Sequence, residues 1–195
     1  MDDKYWILLL VWAIYFAIHS LAASNPAKQY FENAGVSKTG YRKAYVVFST
    51  LTLFILLMYS SNFQEEYLIK PGGVLKYISL AIAASGTIII QAAFKQYDLK
   101  EFIGMSQENP KGQLSKNGIL SYVRHPVYSG TILVVIGYLL YIPKMSSMII
   151  TITVFLYILI GIYWEEKKLV KEFGQKYIDY KSNVPALIPR LKDVF

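Results

Sequence analysis

The segment Arg124-His125-Pro126-Val127-Tyr128-Ser129-Gly130 stands where a polar stretch gives way to a nearly charge-free run that continues to Ile142. Proline is tolerated in the first turn of a helix and pushes the residue before it out of the helical region. Pro126 is therefore read as a helix start, with His125 extended just outside it and free backbone groups nearby. Tyr128 follows about one helical turn later. Ile142-Pro143-Lys144-Met145-Ser146-Ser147 reverses the chain, and a further apolar run, Met148 to Trp164, ends at the adjacent carboxylates Glu165-Glu166. An antiparallel hairpin returns its two ends to one level, so two charged clusters distant in sequence meet at the same membrane face.

Three more apolar runs precede this hairpin: Tyr5 to Ala23, Ala44 to Ser60 and Val74 to Phe94. With 54% hydrophobic and 17% charged residues in 195, the chain holds more apolar surface than one small soluble core can hide, which makes it a membrane protein. Each run crosses or nearly crosses ~30 Å of hydrocarbon at ~1.5 Å per residue, the two hairpin runs being short and reaching only part-way into the headgroups. The expected fold is all-α: five transmembrane helices in a single membrane domain, with a three-helix half over 1–94 and a second half over 95–195. Gly130, Gly137 and Gly161 lack side chains where the two hairpin helices need to approach closely. Beyond Trp164, the residues Leu169, Phe173, Tyr177 and Tyr180 recur at helical spacing. They predict an amphipathic helix on the cytoplasmic surface, ended by Val184-Pro185 and Ile188-Pro189.

Charge between the runs sets the orientation, because Lys and Arg accumulate in cytoplasmic loops. Sixteen of the twenty cations fall on one side, among them Lys28, Lys38, Arg42, Lys116, Arg124, Lys181 and Arg190; only Lys4, Lys70, Lys76 and Lys144 fall on the other. The N-terminus is thus expected outside and the C-terminus in the cytoplasm, most simply across a bacterial inner membrane. The net charge of +7 follows from topology and anionic lipid and gives no argument for nucleic acid. Leu21-Ala22-Ala23-Ser24 has the look of a cleavage site, but Met1-Asp2-Asp3-Lys4 lacks the positive leader of a signal peptide, so the first run is read as a retained helix.

Two histidines and no cysteine leave no expectation of a metal site or disulfide. The glycines form no G-x-G, so neither a dinucleotide loop nor a phosphate loop is available. What remains is a pocket where Arg124 and His125 face Glu165 and Glu166 with apolar walls between them. A zwitterionic cofactor suits it: in S-adenosylmethionine the carboxylate seeks Arg or His, while the ammonium and ribose hydroxyls seek a carboxylate. A poorly solvated sulfonium gives up its methyl more readily.

Together with Gly118, Phe173-Gly174, Tyr177, Tyr180, Val184-Pro185 and Ile188-Pro189-Arg190, the RHPxY segment and the distal Glu-Glu resemble the isoprenylcysteine carboxyl methyltransferase family over roughly residues 112–190. Position by position, the resemblance implies Gln113, Leu114, Leu120, His125, Tyr128 and Glu165 as cofactor contacts. Arg124 joins them as part of the clamp, and Glu166 as a supporting or substrate contact. Leu120 stands where many relatives carry an aromatic, and Gly161 where eukaryotic relatives carry a substrate-directed arginine. The first half is similar to NnrU-type proteins and methanethiol S-methyltransferases, through Phe16-Ala17-Ile18-His19-Ser20-Leu21 and Gly40-Tyr41-Arg42-Lys43-Ala44-Tyr45. His19 is ionisable within an apolar run, which by default points to function in a membrane helix, and it is the candidate proton acceptor for a thiol. The alternative for His19 is an interfacial histidine bonded to a backbone carbonyl. The implied activity is S-adenosylmethionine-dependent methyl transfer to a lipophilic carboxylate or thiol, the acceptor being a small molecule or prenylated substrate drawn from the bilayer. An NADPH-dependent reductase of the sterol-reductase type and a non-enzymatic assembly or transport subunit remain the alternatives.

Overall fold

The computed structural model describes residues 2–70, 72–96 and 114–190. Among the described residues seven α-helices follow in order: α1 Asp3–Ala23, α2 Asn25–Asn33, α3 Lys38–Ser61, α4 Gly73–Phe94, α5 Pro126–Tyr141, α6 Met145–Phe173 and α7 Gln175–Asn183, with a 3-10 turn over Gly118–Ser121. All five apolar runs are helical. Four of these helices, α1, α3, α4 and α6, are long and apolar enough to cross a membrane. At 16 residues, α5 covers about 24 Å, short of the roughly 20 residues a span requires.

Two packing units share α6. In the first, Leu8 and Trp12 of α1, Leu56 of α3 and Ile149, Ile150, Val154 and Ile158 of α6 form a common buried cluster, and the Trp12 indole donates to the Ser60 hydroxyl at 3.2 Å. In the second, α4 and α5 touch backbone to backbone. A methyl on Gly130 would stand 2.5 Å from the Gly86 carbonyl oxygen, and one on Gly137 would stand 2.7 Å from that of Ser79. The close approach expected within the hairpin is therefore made to α4 instead. Small residues at a membrane interface let two backbones gain dispersion contact that lipid tails cannot match.

The connections agree with an up-and-down bundle. At one end the loop after α3 meets the hairpin turn: Tyr67 and Lys144 form an isolated antiparallel bridge and the Leu68 amide donates to the Pro143 carbonyl at 2.7 Å. The Tyr5 hydroxyl donates to Glu65 at 2.9 Å at the same end. The cation-rich segments gather at the opposite end. There α2 is a helix the hydrophobic pattern does not mark; it is announced instead by its cap, Ser24 accepting from the Ala27 amide at 3.4 Å, with proline in its first turn.

The 29 residues of α6 run about 43 Å, well past the apolar run that ends at Trp164. Gly174, at φ +57°, breaks the helix, since that backbone region suits a residue without Cβ. The expected amphipathic helix is thus split in two. Leu169 and Phe173 belong to the end of α6, and α7 turns back with Tyr177 and Tyr180 buried at 1% and 5% exposure.

Candidate functional site

Consecutive residues on a helix point about 100° apart, so Glu165 and Glu166 face different surroundings, although both approach His125. Glu166 faces inward with its side chain 10% exposed. The Arg124 guanidinium donates to Glu166 Oε1 through Nε at 3.0 Å and again through Nη2. Lys181 Nζ approaches the other oxygen, Oε2, at 2.5 Å. His125 Nε2 lies 3.3 Å from Oε1. Arg124 also donates through Nη1 to the carbonyls of Lys181, at 3.1 Å, and Val184, satisfying the C-terminal end of α7. One guanidinium, 7% exposed, thus ties the entry of α5 to α6 and α7. A buried ion pair of this kind persists only when further hydrogen bonds use its remaining donors and lone pairs.

The extended backbone ahead of Pro126 has its own partner. The amide of Arg124 donates to the Pro185 carbonyl at 2.9 Å and that of His125 to the Ala186 carbonyl at 3.0 Å. The Ser129 hydroxyl donates to the Leu187 carbonyl at 2.7 Å, and Tyr180 donates to the Leu120 carbonyl at 2.5 Å. Residues 184–187 form a strap across the motif. The Val184-Pro185 and Ile188-Pro189 pairs, read from sequence as terminators, hold this strap extended, so the backbone groups near His125 are engaged and not free. Burial, followed by the charge of Glu166, pushes the Tyr177 hydroxyl beside the strap up to about 12; it stays neutral at physiological pH.

Glu165 faces the other way, 43% exposed, with Oε2 3.6 Å from His125 Nδ1. The His125 ring stacks on Tyr128 at 5.6 Å between centroids and 28° between planes. One turn before Glu165, a methyl on Gly161 would stand 3.5 Å from the Tyr128 hydroxyl, so a longer side chain there would cover it. His125, Tyr128, Gly161 and Glu165 therefore form one face, while Arg124 and Glu166 lie behind it. Leu120 is 4% exposed in the 3-10 turn, its carbonyl held by Tyr180, and Leu114 is half-buried ahead of that turn. Gln113 lies outside the described residues.

His19 is not part of this face. Its Nε2 lies 2.9 Å from the Tyr45 hydroxyl, and its ring meets Tyr157 edge-on at 6.4 Å. Tyr157 precedes Glu165 by two turns of α6, about 12 Å. His19 opens instead on a cavity of about 470 Å³ between α1, α2 and α3, which neither His125 nor Glu165 lines.

The sequence model of the NnrU protein family matches residues 7–190. Methanethiol S-methyltransferase 2 of Bradyrhizobium diazoefficiens is 26% identical over 201 residues, an alignment covering 98% of this chain and 75% of that protein. Methanethiol S-methyltransferase of Crocosphaera subtropica is 27% identical over 179 residues, 88% of this chain and 69% of that protein. Protein-S-isoprenylcysteine O-methyltransferase of Schizosaccharomyces pombe is 32% identical over 85 residues, covering 43% of this chain and 36% of its own.

Proposed function

The chain belongs to the NnrU family, and from that premise we propose that it is an integral membrane methyltransferase that uses S-adenosylmethionine and methylates a small lipophilic thiol. The observation that carries the reading is the face formed by His125, Tyr128, Gly161 and Glu165. Support comes from relatives named methanethiol S-methyltransferase that align over most of the chain.

The residues present fit the cofactor. Glu165 is an exposed carboxylate for an ammonium or ribose hydroxyl, and its neighbour His125 is held in one orientation by the strap and the Tyr128 ring. The flank of α6 between Tyr157 and Glu165 carries no charge, which suits a sulfonium methyl kept from water. S-adenosylmethionine, when bound, supplies a methyl on a good leaving group, so the protein's work is alignment and exclusion of water.

The same flank decides the acceptor class. A carboxylate acceptor is ionised at neutral pH and needs a cation to hold it in an apolar cavity. Arg124 is committed to Glu166 and the end of α7, and Gly161 offers no charge. A thiol needs no such counterion; its sulfur forms the new bond to the methyl carbon as the old carbon–sulfur bond breaks, and its proton leaves. In this reading the proton passes to the His125–Glu165 pair, because His19 opens on a different cavity.

The test uses purified protein in lipid nanodiscs with S-adenosylmethionine labelled in the methyl group, offered ethanethiol, a prenylcysteine, or NADPH with an unsaturated sterol. The expected result is a labelled thioether from ethanethiol alone. Labelled methyl ester from the prenylcysteine alone would overturn the thiol assignment, and sterol reduction without cofactor binding would overturn methyl transfer altogether.

A further inference from the structure

The segment Phe16-Ala17-Ile18-His19-Ser20-Leu21 takes no part in the face at His125 and Glu165, yet α1 reaches the neighbourhood of that face through one side chain of α6. The two helices run side by side in a constant register. Tyr5 and the Ser146 amide share the Glu65 carboxylate at one end of the bundle. Eleven residues further along both helices, the Phe16 ring stacks on Tyr157 at 4.1 Å between centroids and 12° between planes. The same register puts Ser20 level with Gly161, and the Ser20 and Tyr157 hydroxyls are hydrogen-bonded at 3.0 Å. His19 meets the Tyr157 ring edge-on. Three side chains of α1 thus fix one phenol ring, whose hydroxyl stands at the level of Gly161.

Residues three and four positions apart are neighbours on a helix surface, so Ile158 and Tyr157 flank Gly161 one turn before it. Ile158 is 3% exposed and belongs to the buried cluster, which closes the bottom of the space over Gly161. Tyr128 closes it from α5: among the described residues, its ring and hydroxyl supply the only atoms within 4 Å of a methyl placed on Gly161. Tyr157 closes the α1 side without reaching that close, so a slot remains between the two tyrosines. The side toward Glu165 is where the proposed function puts the methyl donor. An acceptor whose sulfur meets that methyl lays its carbon chain in this slot, and a chain longer than the slot reaches the bilayer between α1 and α6, where the Tyr157 ring stands. We infer that Tyr157 limits the chain length of the acceptor, with Phe16 and Ser20 as the positioning residues that hold its ring across the slot. The inference rests on the methyl-transfer reading and adds to it the residue that selects among thiols.

The experiment uses the full chain in lipid nanodiscs with S-adenosylmethionine labelled in the methyl group, offered ethanethiol and octanethiol in separate reactions. Wild type should show the higher kcat/KM for ethanethiol. Tyr157→Ala should raise kcat/KM for octanethiol relative to ethanethiol by about tenfold or more, the scale on which a pocket of fixed size discriminates chain length, with cofactor affinity unchanged. Tyr157→Leu, which keeps an apolar side chain against α1, should shift the ratio the same way and decides the matter should the alanine variant fail to fold. Tyr157→Phe retains the ring stacked on Phe16 and should stay close to the wild-type ratio, as should Leu156→Ala, at a neighbouring position 54% exposed. Ethanethiol turnover with an unchanged ratio in Tyr157→Ala and Tyr157→Leu would overturn the inference and leave the methyl-transfer reading standing. A shift in Tyr157→Phe as large as in Tyr157→Ala would trace selectivity to the hold on α1 and not to the ring, which also overturns it. No labelled product from either thiol with wild type would remove the reading itself, and the inference with it.

Discussion

Arg124 and His125 are neighbours in sequence, as are Glu165 and Glu166, yet the members of each pair have different surroundings, with His125 between the two carboxylates, 3.3 Å from Glu166 and 3.6 Å from Glu165. Arg124 and Glu166 are buried, at 7% and 10% side-chain exposure, and their contacts run to one another, to the end of α7 and to the half-exposed Lys181. His125 is buried but stacked against Tyr128, and its partner Glu165 remains 43% exposed. Adjacent residues on a helix point to different sectors, so a motif that reads as one cluster divides into a brace and a working face. The brace holds the shape of the α5 entry, and the face is where the proposed function puts the ligand.

The largest test of that division is removal of the brace. Glu166→Ala leaves the Arg124 guanidinium buried without its carboxylate, a change that costs about 3–5 kcal/mol. Thermal unfolding in detergent should show a large drop in stability, larger than any loss of cofactor affinity measured on the folded fraction. The double variant Arg124→Leu with Glu166→Leu should cost less than the two single losses together, because neither charge is then stranded. Full stability of Glu166→Ala would show that the pair is not a brace.

The working face should respond in the reverse sense. His125→Ala or Glu165→Ala should weaken S-adenosylmethionine binding by ~1.5–3 kcal/mol, the expected loss for a hydrogen bond to a charged group, while unfolding shifts far less than in Glu166→Ala. Lys144→Ala, in the turn at the other end of the bundle, serves as the control. Calorimetric affinity unchanged in both site variants would take His125 and Glu165 out of the cofactor site.

The strap lies between these extremes. Ser129→Ala removes the bond to the Leu187 carbonyl and Tyr180→Phe the bond to the Leu120 carbonyl, each worth about 1 kcal/mol of stability. Ser129→Ala should also slow turnover modestly while leaving the folded fraction high, because the strap orients His125, whereas Tyr180→Phe loosens α7 from the 3-10 turn and should act on stability alone. Turnover identical to wild type in Ser129→Ala would limit the strap to stability.

Sequence alone reveals the five apolar helices, their order and the meeting of the two charged clusters, though not α2, because a long apolar run and a proline at a helix start each have one dominant physical reading. It does not reveal which partner each cluster member takes. Pairing depends on the angular positions of Glu165 and Glu166 and on a strap whose prolines have no periodic signal. The glycines mislead for a related reason: Gly130 and Gly137 announce a close approach but not the neighbour, and α4 takes the place the hairpin partner was expected to fill. His19 shows the same limit, since an ionisable group in a membrane helix signals a role without naming the cavity it faces.

The smallest expected effect belongs to Gly161, where the comparison reaches the acceptor. An added methyl would sit 3.5 Å from the Tyr128 hydroxyl, ordinary van der Waals contact, and glycine in a helix interior is less favourable than alanine by up to about 1 kcal/mol. Gly161→Ala should therefore leave stability equal or slightly raised and cofactor affinity unchanged. Its effect should appear only in selectivity, as a higher KM for a branched thiol than for ethanethiol, because the methyl narrows the space over Tyr128 without touching the brace. Gly161→Phe should extend the trend to loss of turnover with both thiols while unfolding at nearly the wild-type temperature. If Gly161→Phe turns over both thiols normally, the acceptor does not approach along this flank of α6, and the face assigned to it must be sought elsewhere on the bundle.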